Sequence, residues 1–575
     1  MKKLSLLLAG LGVSLAAAAI PADPTPNRVA QPSGDSLTIR LVGDEFFHYN
    51  TTVDGYTLLQ DGKGGYVYAM PSGTRLVSSG LLAHDPAGRT PAEHALLATL
   101  SKHLTEAEGI SRAKARRAER DAQPAMKLPQ TGFKGLVILI NCTDKKFSGS
   151  NPSQFYSDMY GKKGYTGFYY NGSFQDCPGS TRDYFYDQST GQFDPQFDVV
   201  GPVEVDYSCL DYHSTSNAWE IFLAAINAAD ASVDFSQYDN DGDGFVDMVY
   251  FVTAGYSANY SGNNSGYLWP HKSYLYDHNT YTFPMLDGVY IALYASSTEI
   301  YGWESQGSTM PLGIGTFCHE FSHVLGLPDL YDTDYASGGG QSHHPGDWDV
   351  MASGTSYYGR YPCSYTIWER YALGWATPTV ITAPGNYSLE NVATGNQGFI
   401  LRTPVDKEFF MLDNRQKTGW DRYLPGHGMI VARVDSTDVN VWDTDAVNCN
   451  PAHNYYELLR AGGGTLGDDD DDPFPGTNNV TQLDNNTTPN LLTWAGLPNA
   501  FALSNISESD GVITFKVDGS DPFDVNQDGT VNIADVNIVV DVVLGTGGDA
   551  NCDFNHDGVA NIADVNLIVN HILGI

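Results

Sequence analysis

Cysteine is scarce in this chain. Seven thiols, at 142, 177, 209, 318, 363, 449 and 552, serve 575 residues, so folding does not rest on a disulfide framework. The odd count leaves at least one thiol free or intermolecular. Positive charge is also short. Lys and Arg total 31 against 68 Asp and Glu, for a net charge of −37. That balance argues against nucleic acid or an anionic membrane as the main partner. Much of the acid sits in Asp-rich loops, which favours cation binding, and a generally acidic surface accounts for the remainder. Long apolar runs are lacking except between Leu4 and Ala19, where Lys2 and Lys3 precede the run and Ala17 and Ala19 supply a small-x-small pattern. Residues 1–19 therefore read as a secretory signal peptide. The run is short for a membrane anchor, and no cysteine follows it to accept a lipid. An exported, extracellular and soluble mature protein is expected.

What is present suits folded material: 42% hydrophobic and 17% charged residues, in a chain long enough for three or four domains. Residues 20–100 show short strands and turns, with Ser36–Leu41 alternating and Asp61–Gly65 marking a hairpin. Residues 101–129 are polar and helix-prone, with Lys102, Arg112, Lys114, Arg116, Arg117, Arg120 and Lys127. They read either as a solvated linker helix or as a cleavage-prone activation segment. Lys134–Asn141 (KGLVILIN) is a nearly continuous apolar run and so a buried strand. Residues 217–230 have helical periodicity, and Val246–Val252 reads as a further buried strand. From Thr379 to Asp518 the pattern turns to strands, at 398–402, 409–412, 428–434 and 511–517, and an antiparallel sandwich is expected. The acidic run Asp468–Asp472 reads as a solvated loop.

The centre of the chain is Thr316-Phe317-Cys318-His319-Glu320-Phe321-Ser322-His323-Val324-Leu325-Gly326-Leu327-Pro328-Asp329. On a helix, residues four apart share a face, so the His319 and His323 rings can reach one zinc ion. Glu320 is placed to take a proton from a zinc-activated water. Gly326 can leave the helix with positive φ and Pro328 cannot continue it, so the chain turns there and can bring Asp329 back as a third ligand. Cys318 reads as a small buried filler on the back of the helix. His343 and His344 read as exposed loop residues. The plain alternative is a core helix with two satisfied histidines.

Two kinds of acidic loop point to calcium. In Asp239-Asn240-Asp241-Gly242-Asp243-Gly244-Phe245-Val246-Asp247, three alternating carboxylates, the Phe245 carbonyl and Asp247 can surround one ion, and would otherwise repel one another. Near the end, Asp524 to Asp535 recurs 29 residues later as Asp553 to Asp564. The first copy offers Asp524, Asn526, Asp528, Thr530, Asn532 and Asp535. The second offers Asp553, Asn555, Asp557, Val559, Asn561 and Asp564. Each has glycine at loop position 6 and an apolar helix after it, as an EF-hand-type calcium loop requires.

The motifs KGLVILIN, YDNDGDGFVD, HEFSHVLGLPDLYD, WDVMASG, WERYALGW and EFFMLDNRQKTGWDRYLPGHG occur in this order. Through them, residues 130–518 resemble the immune inhibitor A family of secreted zinc metallopeptidases. Residues 36–69 resemble that family's prosegment, and residues 524–575 resemble a type I dockerin, which docks onto a cohesin domain. The resemblance implies an α+β metzincin-like zinc peptidase domain at 130–378, with a Met-turn at Asp347–Gly354. A small β-rich propeptide with its basic activation segment (20–129) precedes it. A β-sandwich (379–518) and a small α-helical calcium-binding dockerin (519–575) follow. It assigns zinc to His319 and His323 and the general base to Glu320. Asp329 is the third ligand on the metzincin pattern, and Glu369 on the thermolysin-like one. Tyr357 and Tyr358 are candidates for oxyanion support. Residues 1–141 hold no cysteine, so a prosegment carboxylate or steric cover, not a thiol, would keep the enzyme latent. The expected function is a zinc endopeptidase made as a zymogen, needing Zn2+ and Ca2+ and tethered through a cohesin partner. The alternatives are a non-catalytic binding component of the same assembly, or the same zinc chemistry aimed at a specialised amide.

Overall fold

The computed structural model describes residues 22, 25–44, 46–111, 132–210, 218–261, 267–334, 344–463, 470–519, 523–526, 531–547, 552–555 and 559–573. The signal segment, the basic stretch from Arg112 to Lys127, His343, and the loop positions Asp528, Thr530 and Asp557 lie outside them.

The scaffold of the site is a five-stranded sheet. Its order is Gln196–Glu204, Lys134–Asn141, Val249–Tyr256, Leu293–Ile300 and His271–Tyr274. The first four run parallel, and His271–Tyr274 pairs antiparallel along the edge. The apolar run in Lys134–Asn141 is explained by burial on both faces. Leu136, Ile138 and Ile140 enter a cluster with the helix Ala218–Ala229, while Val137 and Leu139 enter another with the helix Gly315–Leu325. Ala218–Ala229 presents Ala218, Ile221, Phe222, Ala225, Ile226 and Ala229 to the sheet, the stripe a 3.6-residue repeat predicts. Where one strand was expected over Val246–Val252, the structure has two. Phe245–Val246 pairs with Val289–Ile291 in a small separate sheet, and Val249–Tyr256 joins the main one. The break falls at Asp247, which is buried and turned to Asn240. A disulfide joins Cys142, just past the strand Lys134–Asn141, to Cys209; the other five cysteines form no disulfide.

Before this core, six antiparallel strands between Asn27 and Leu82 form one sheet in sequence order. Its cluster of Leu37, Ile39, Leu58 and Tyr68 is closed by Leu97. That residue belongs to the helix Pro91–Leu97, which starts from a Thr90–Glu93 capping box. After the core come a five-stranded sheet (Thr379–Val380, Phe399–Arg402, Glu408–Arg415, Gly428–Asp435, Tyr456–Leu459) and a three-stranded one (Gly385–Leu389, Val512–Gly519, Phe501–Ser509). Alternation along the five-stranded sheet splits its side chains. Leu401, Phe410, Leu412 and Val431 meet the three-stranded sheet, while Ile400, Met411, Ile430 and Val434 join the cluster of the helix Gly315–Leu325. The hydrophobic core therefore runs across the boundary expected at residue 378. At the end, the helices Ile533–Val543 and Ile562–Leu573 pack through Val536, Val539, Val565 and Ile568. Among the described residues, no helix is long and apolar enough to cross a membrane.

Candidate metal centre

The helix Gly315–Leu325 is buried along nearly its whole length, with His319, Glu320 and His323 at 0% exposure. Gly326 ends it at φ 113°, a left-handed value that a side chain would strain. The reversal carries the Leu327 carbonyl back to His323, whose Nδ1 donates to it at 2.7 Å. His319 Nδ1 donates to the Val350 carbonyl, also at 2.7 Å, inside the turn that ends at Gly354. A carbonyl only accepts, so each Nδ1 carries the ring proton and each neutral ring keeps its lone pair on Nε2. Burial, and then the His319 ring, hold the His323 imidazole far below its ordinary pKa.

The two Nε2 atoms face each other at 3.0 Å. Asp329 Oδ1 stands 3.4 Å from both, 1% exposed, and neither of its carboxylate oxygens has a hydrogen-bond partner. Two lone pairs and an unsatisfied buried carboxylate converging on one point are unfavourable unless a cation sits between them. The donor set of two imidazoles and one carboxylate fits zinc with a position left open for water. Glu320 adjoins His319 on the same buried helix.

The turn beneath is held from several sides. Met351 is fully buried and its N–H donates to Asp349 Oδ1 at 2.8 Å. Arg415, from the downstream sheet, donates to the Trp348 carbonyl at 3.0 Å and the Ser364 carbonyl at 2.9 Å, and pairs with Asp421 at 2.9 Å. Glu369, the alternative ligand, lies apart from the two histidines. Its Oε2 accepts from Thr366 N–H at 2.6 Å in a capping box, and its buried carboxyl meets that of Asp349. Desolvation first, and then the charge of Asp349, push the Glu369 carboxyl well above the usual range. Burial likewise raises Asp349. Tyr357 and Tyr358 both have positive φ, and their rings pack on Tyr423 at 4.4 Å and Tyr301 at 5.0 Å. Cys318 is buried, and burial pushes its thiol up, as a filler requires. His344 receives Gly346 N–H through Nδ1 and is engaged in its own loop.

The structure also brings Asp239, Asp241 and Asp243 together. Each carboxylate accepts nearby backbone N–H groups, such as Gly244 to Asp239 at 3.0 Å and Phe245 to Asp243 at 2.8 Å. Asp247 stands outside that group and accepts from the N–H and the side chain of Asn240, both at 2.7 Å. In the terminal repeat, Asp535 accepts from Asn526 and Asn532 N–H, and Asp564 from Phe554, Asn555 and Asn561 N–H. The equivalent geometry of the two copies follows from their equivalent sequence.

Residues 129–370 match the family described as "Immune inhibitor A peptidase M6, catalytic domain", and residues 522–573 match "Dockerin type I domain". The chain carries an immune inhibitor A-type peptidase M6 domain and a type I dockerin. Immune inhibitor A of Bacillus thuringiensis subsp. alesti is 24% identical over 369 residues, covering 56% of this chain and 48% of that protein. The pre-pro-metalloprotease PrtV of Vibrio cholerae serotype O1 (strain M66-2) is 23% identical over 260 residues, covering 40% of this chain and 27% of PrtV. The match thus spans about half the length of the first relative and about a quarter of the second. The peptidase M6 match stops at residue 370, short of Arg415 and of Asp445. Asp445 accepts from the Asp329 N–H at 2.7 Å. Sequence reading placed Arg415 in the motif EFFMLDNRQKTGWDRYLPGHG without a role and passed over Asp445, since nothing in their spacing ties them to a histidine motif so far upstream.

Proposed function

We propose that this chain is a secreted zinc-dependent endopeptidase of metzincin-like fold, made as a zymogen. The observation that carries the reading is the convergence of His319 Nε2, His323 Nε2 and Asp329 Oδ1 beside Glu320 on one buried helix. Bound zinc would supply Lewis acidity, polarising a scissile carbonyl and lowering the pKa of a water. The Glu320 carboxylate accepts a proton from that water and passes it to the leaving amine. The backbone carbonyls of Val350 and Leu327 hold both rings in the tautomer that leaves Nε2 free to ligate. Purified, activated enzyme should cleave casein and lose that activity in a zinc chelator. Casein left intact by zinc-loaded protein would favour a non-catalytic binding component instead.

Residues 20–129 act as the propeptide in this reading. His48 stacks on Trp269 at 4.8 Å, just before the edge strand His271–Tyr274. The Tyr49 hydroxyl is raised by burial and then by the charge of Asp332, just past Asp329. The strand His48–Thr52 thus packs on Trp269 and lies within electrostatic reach of Asp332, which supports steric cover as the cause of latency. Cleavage between Arg112 and Lys127 would release it. N-terminal sequencing of the active form would give a start in that interval, and a start near residue 20 would overturn the assignment. Calcium at Asp239–Asp243 would pin the loop leading into the main sheet. The two sheets at 379–518 form the sandwich. The terminal repeat would bind two calcium ions and a cohesin domain outside the cell, testable by pull-down with and without chelator.

A further inference from the structure

Asp329 differs from the two histidines in how it is aimed. A helix fixes the histidines by its repeat, whereas Asp329 lies on an irregular turn that tertiary contacts must hold. One contact comes from the turn beneath, where Leu330 N–H donates to the Met351 carbonyl at 2.9 Å. The others come from residues 445–448. Asp329 N–H donates to Asp445 Oδ1 at 2.7 Å, Thr333 Oγ1 donates to the Asp445 carbonyl at 2.6 Å, and Asn448 Nδ2 donates to the Leu330 carbonyl at 2.7 Å.

Asp445 is 0% exposed and has φ 56°. A non-glycine residue in the left-handed region is strained, and such strain persists only where surrounding structure over-determines it. The residue follows the short helix Val439–Asp443, with its N–H directed at the Trp442 carbonyl. Its buried carboxylate thus reaches a loop 116 residues away in sequence.

We propose that Asp445 is a positioning residue of the metal centre: its Oδ1 holds the Asp329 backbone so that the Asp329 carboxylate faces His319 and His323. The proposal rests on Asp329 being the third ligand. It places a necessary part of the site beyond the segment that matches the peptidase family.

The test is zinc affinity of the full-length chain in saturating calcium, measured by competition with a chromogenic chelator. The variants are Asp445→Asn, Asp445→Gly, Asp445→Ala and Asp329→Ala, with the fold of each checked by circular dichroism. Glycine relieves the backbone strain while removing the acceptor, so Asp445→Gly separates loss of the hydrogen bond from loss of the fold. Asparagine tolerates the left-handed region and keeps an acceptor oxygen. Asp329→Ala should weaken zinc most. Asp445→Gly and Asp445→Ala should weaken it about 10–100-fold, as loss of a group behind a ligand does. Asp445→Asn should stay within about threefold of wild type, because its amide oxygen accepts the same N–H. Folded Asp445→Gly binding zinc as tightly as wild type, while Asp329→Ala does not, would overturn the proposal. So would Asp445→Asn losing as much as Asp445→Gly. Unchanged zinc affinity in Asp329→Ala would instead overturn the ligand assignment beneath it.

Discussion

The Asp239 loop and the histidine centre both gather charged donors, but over very different lengths of chain. Asp239, Asp241 and Asp243 are neighbours, and their carboxylates are oriented by N–H groups within the same turn. The histidine centre draws on residues 319, 323 and 329, on the Val350 carbonyl, and on Asp445 and Arg415 from the region after the family match. A local site forms wherever its short segment folds. An assembled site exists only while several elements stay packed, so it inherits the stability of the whole core. The two places should therefore fail differently.

The largest effect is expected at the assembled site. Glu320→Gln should lower casein cleavage by about 10²–10⁴-fold, the usual worth of a general base, while zinc remains bound. Cleavage at a comparable rate by the purified variant would show that Glu320 is not the base. Next comes the long-range clamp. Arg415→Met leaves Asp421 buried without its counter-charge and should cost about 3–5 kcal/mol, read from the urea midpoint at unchanged slope. If the shift is no larger than for exposed Arg75→Met, the downstream sheet does not support the turn as argued.

The local loop should give a smaller and more confined response. Calcium at a hundredfold excess over its Kd is worth about 2.7 kcal/mol, so its removal should expose residues 239–247 to limited proteolysis while sites elsewhere stay protected. Equal nicking with and without chelator would remove calcium from this loop.

The smallest effect is a slope with pH. Glu369 is buried against Asp349, and its carboxyl is held above the usual range. An unfolded glutamate ionises near about 4.3. Stability from this group is therefore full below that pH and is lost as pH rises through the higher folded value, by at most about 1.4 kcal/mol per pH unit for one proton. Glu369→Gln should flatten that decline in thermal melts above pH 5. Parallel curves for variant and wild type would show that the pair does not titrate.

Much of this was legible before any fold was known. The strand Lys134–Asn141 and the helix Ala218–Ala229 follow their apolar patterns closely, since each pattern reports burial that backbone geometry imposes. The division at Asp247 was not legible. A run of apolar residues does not reveal that one buried carboxylate will turn to Asn240 and split the strand. The boundary at residue 378 was expected from a change in pattern, yet the five-stranded sheet shares its inner face with the helix Gly315–Leu325. Alternation gives each strand two faces and does not say what covers the second.

Sequence alone determined that His319 and His323 share a helix face, that the helix ends at Gly326, and that two calcium-type loops recur near the end of the chain. These rest on short-range rules: helical repeat, left-handed glycine and loop spacing. Tertiary structure alone placed Glu369 against Asp349 and brought Asp445 back to Asp329. Such contacts depend on which surfaces bury each other, and the distance along the chain between their residues carries no trace of that.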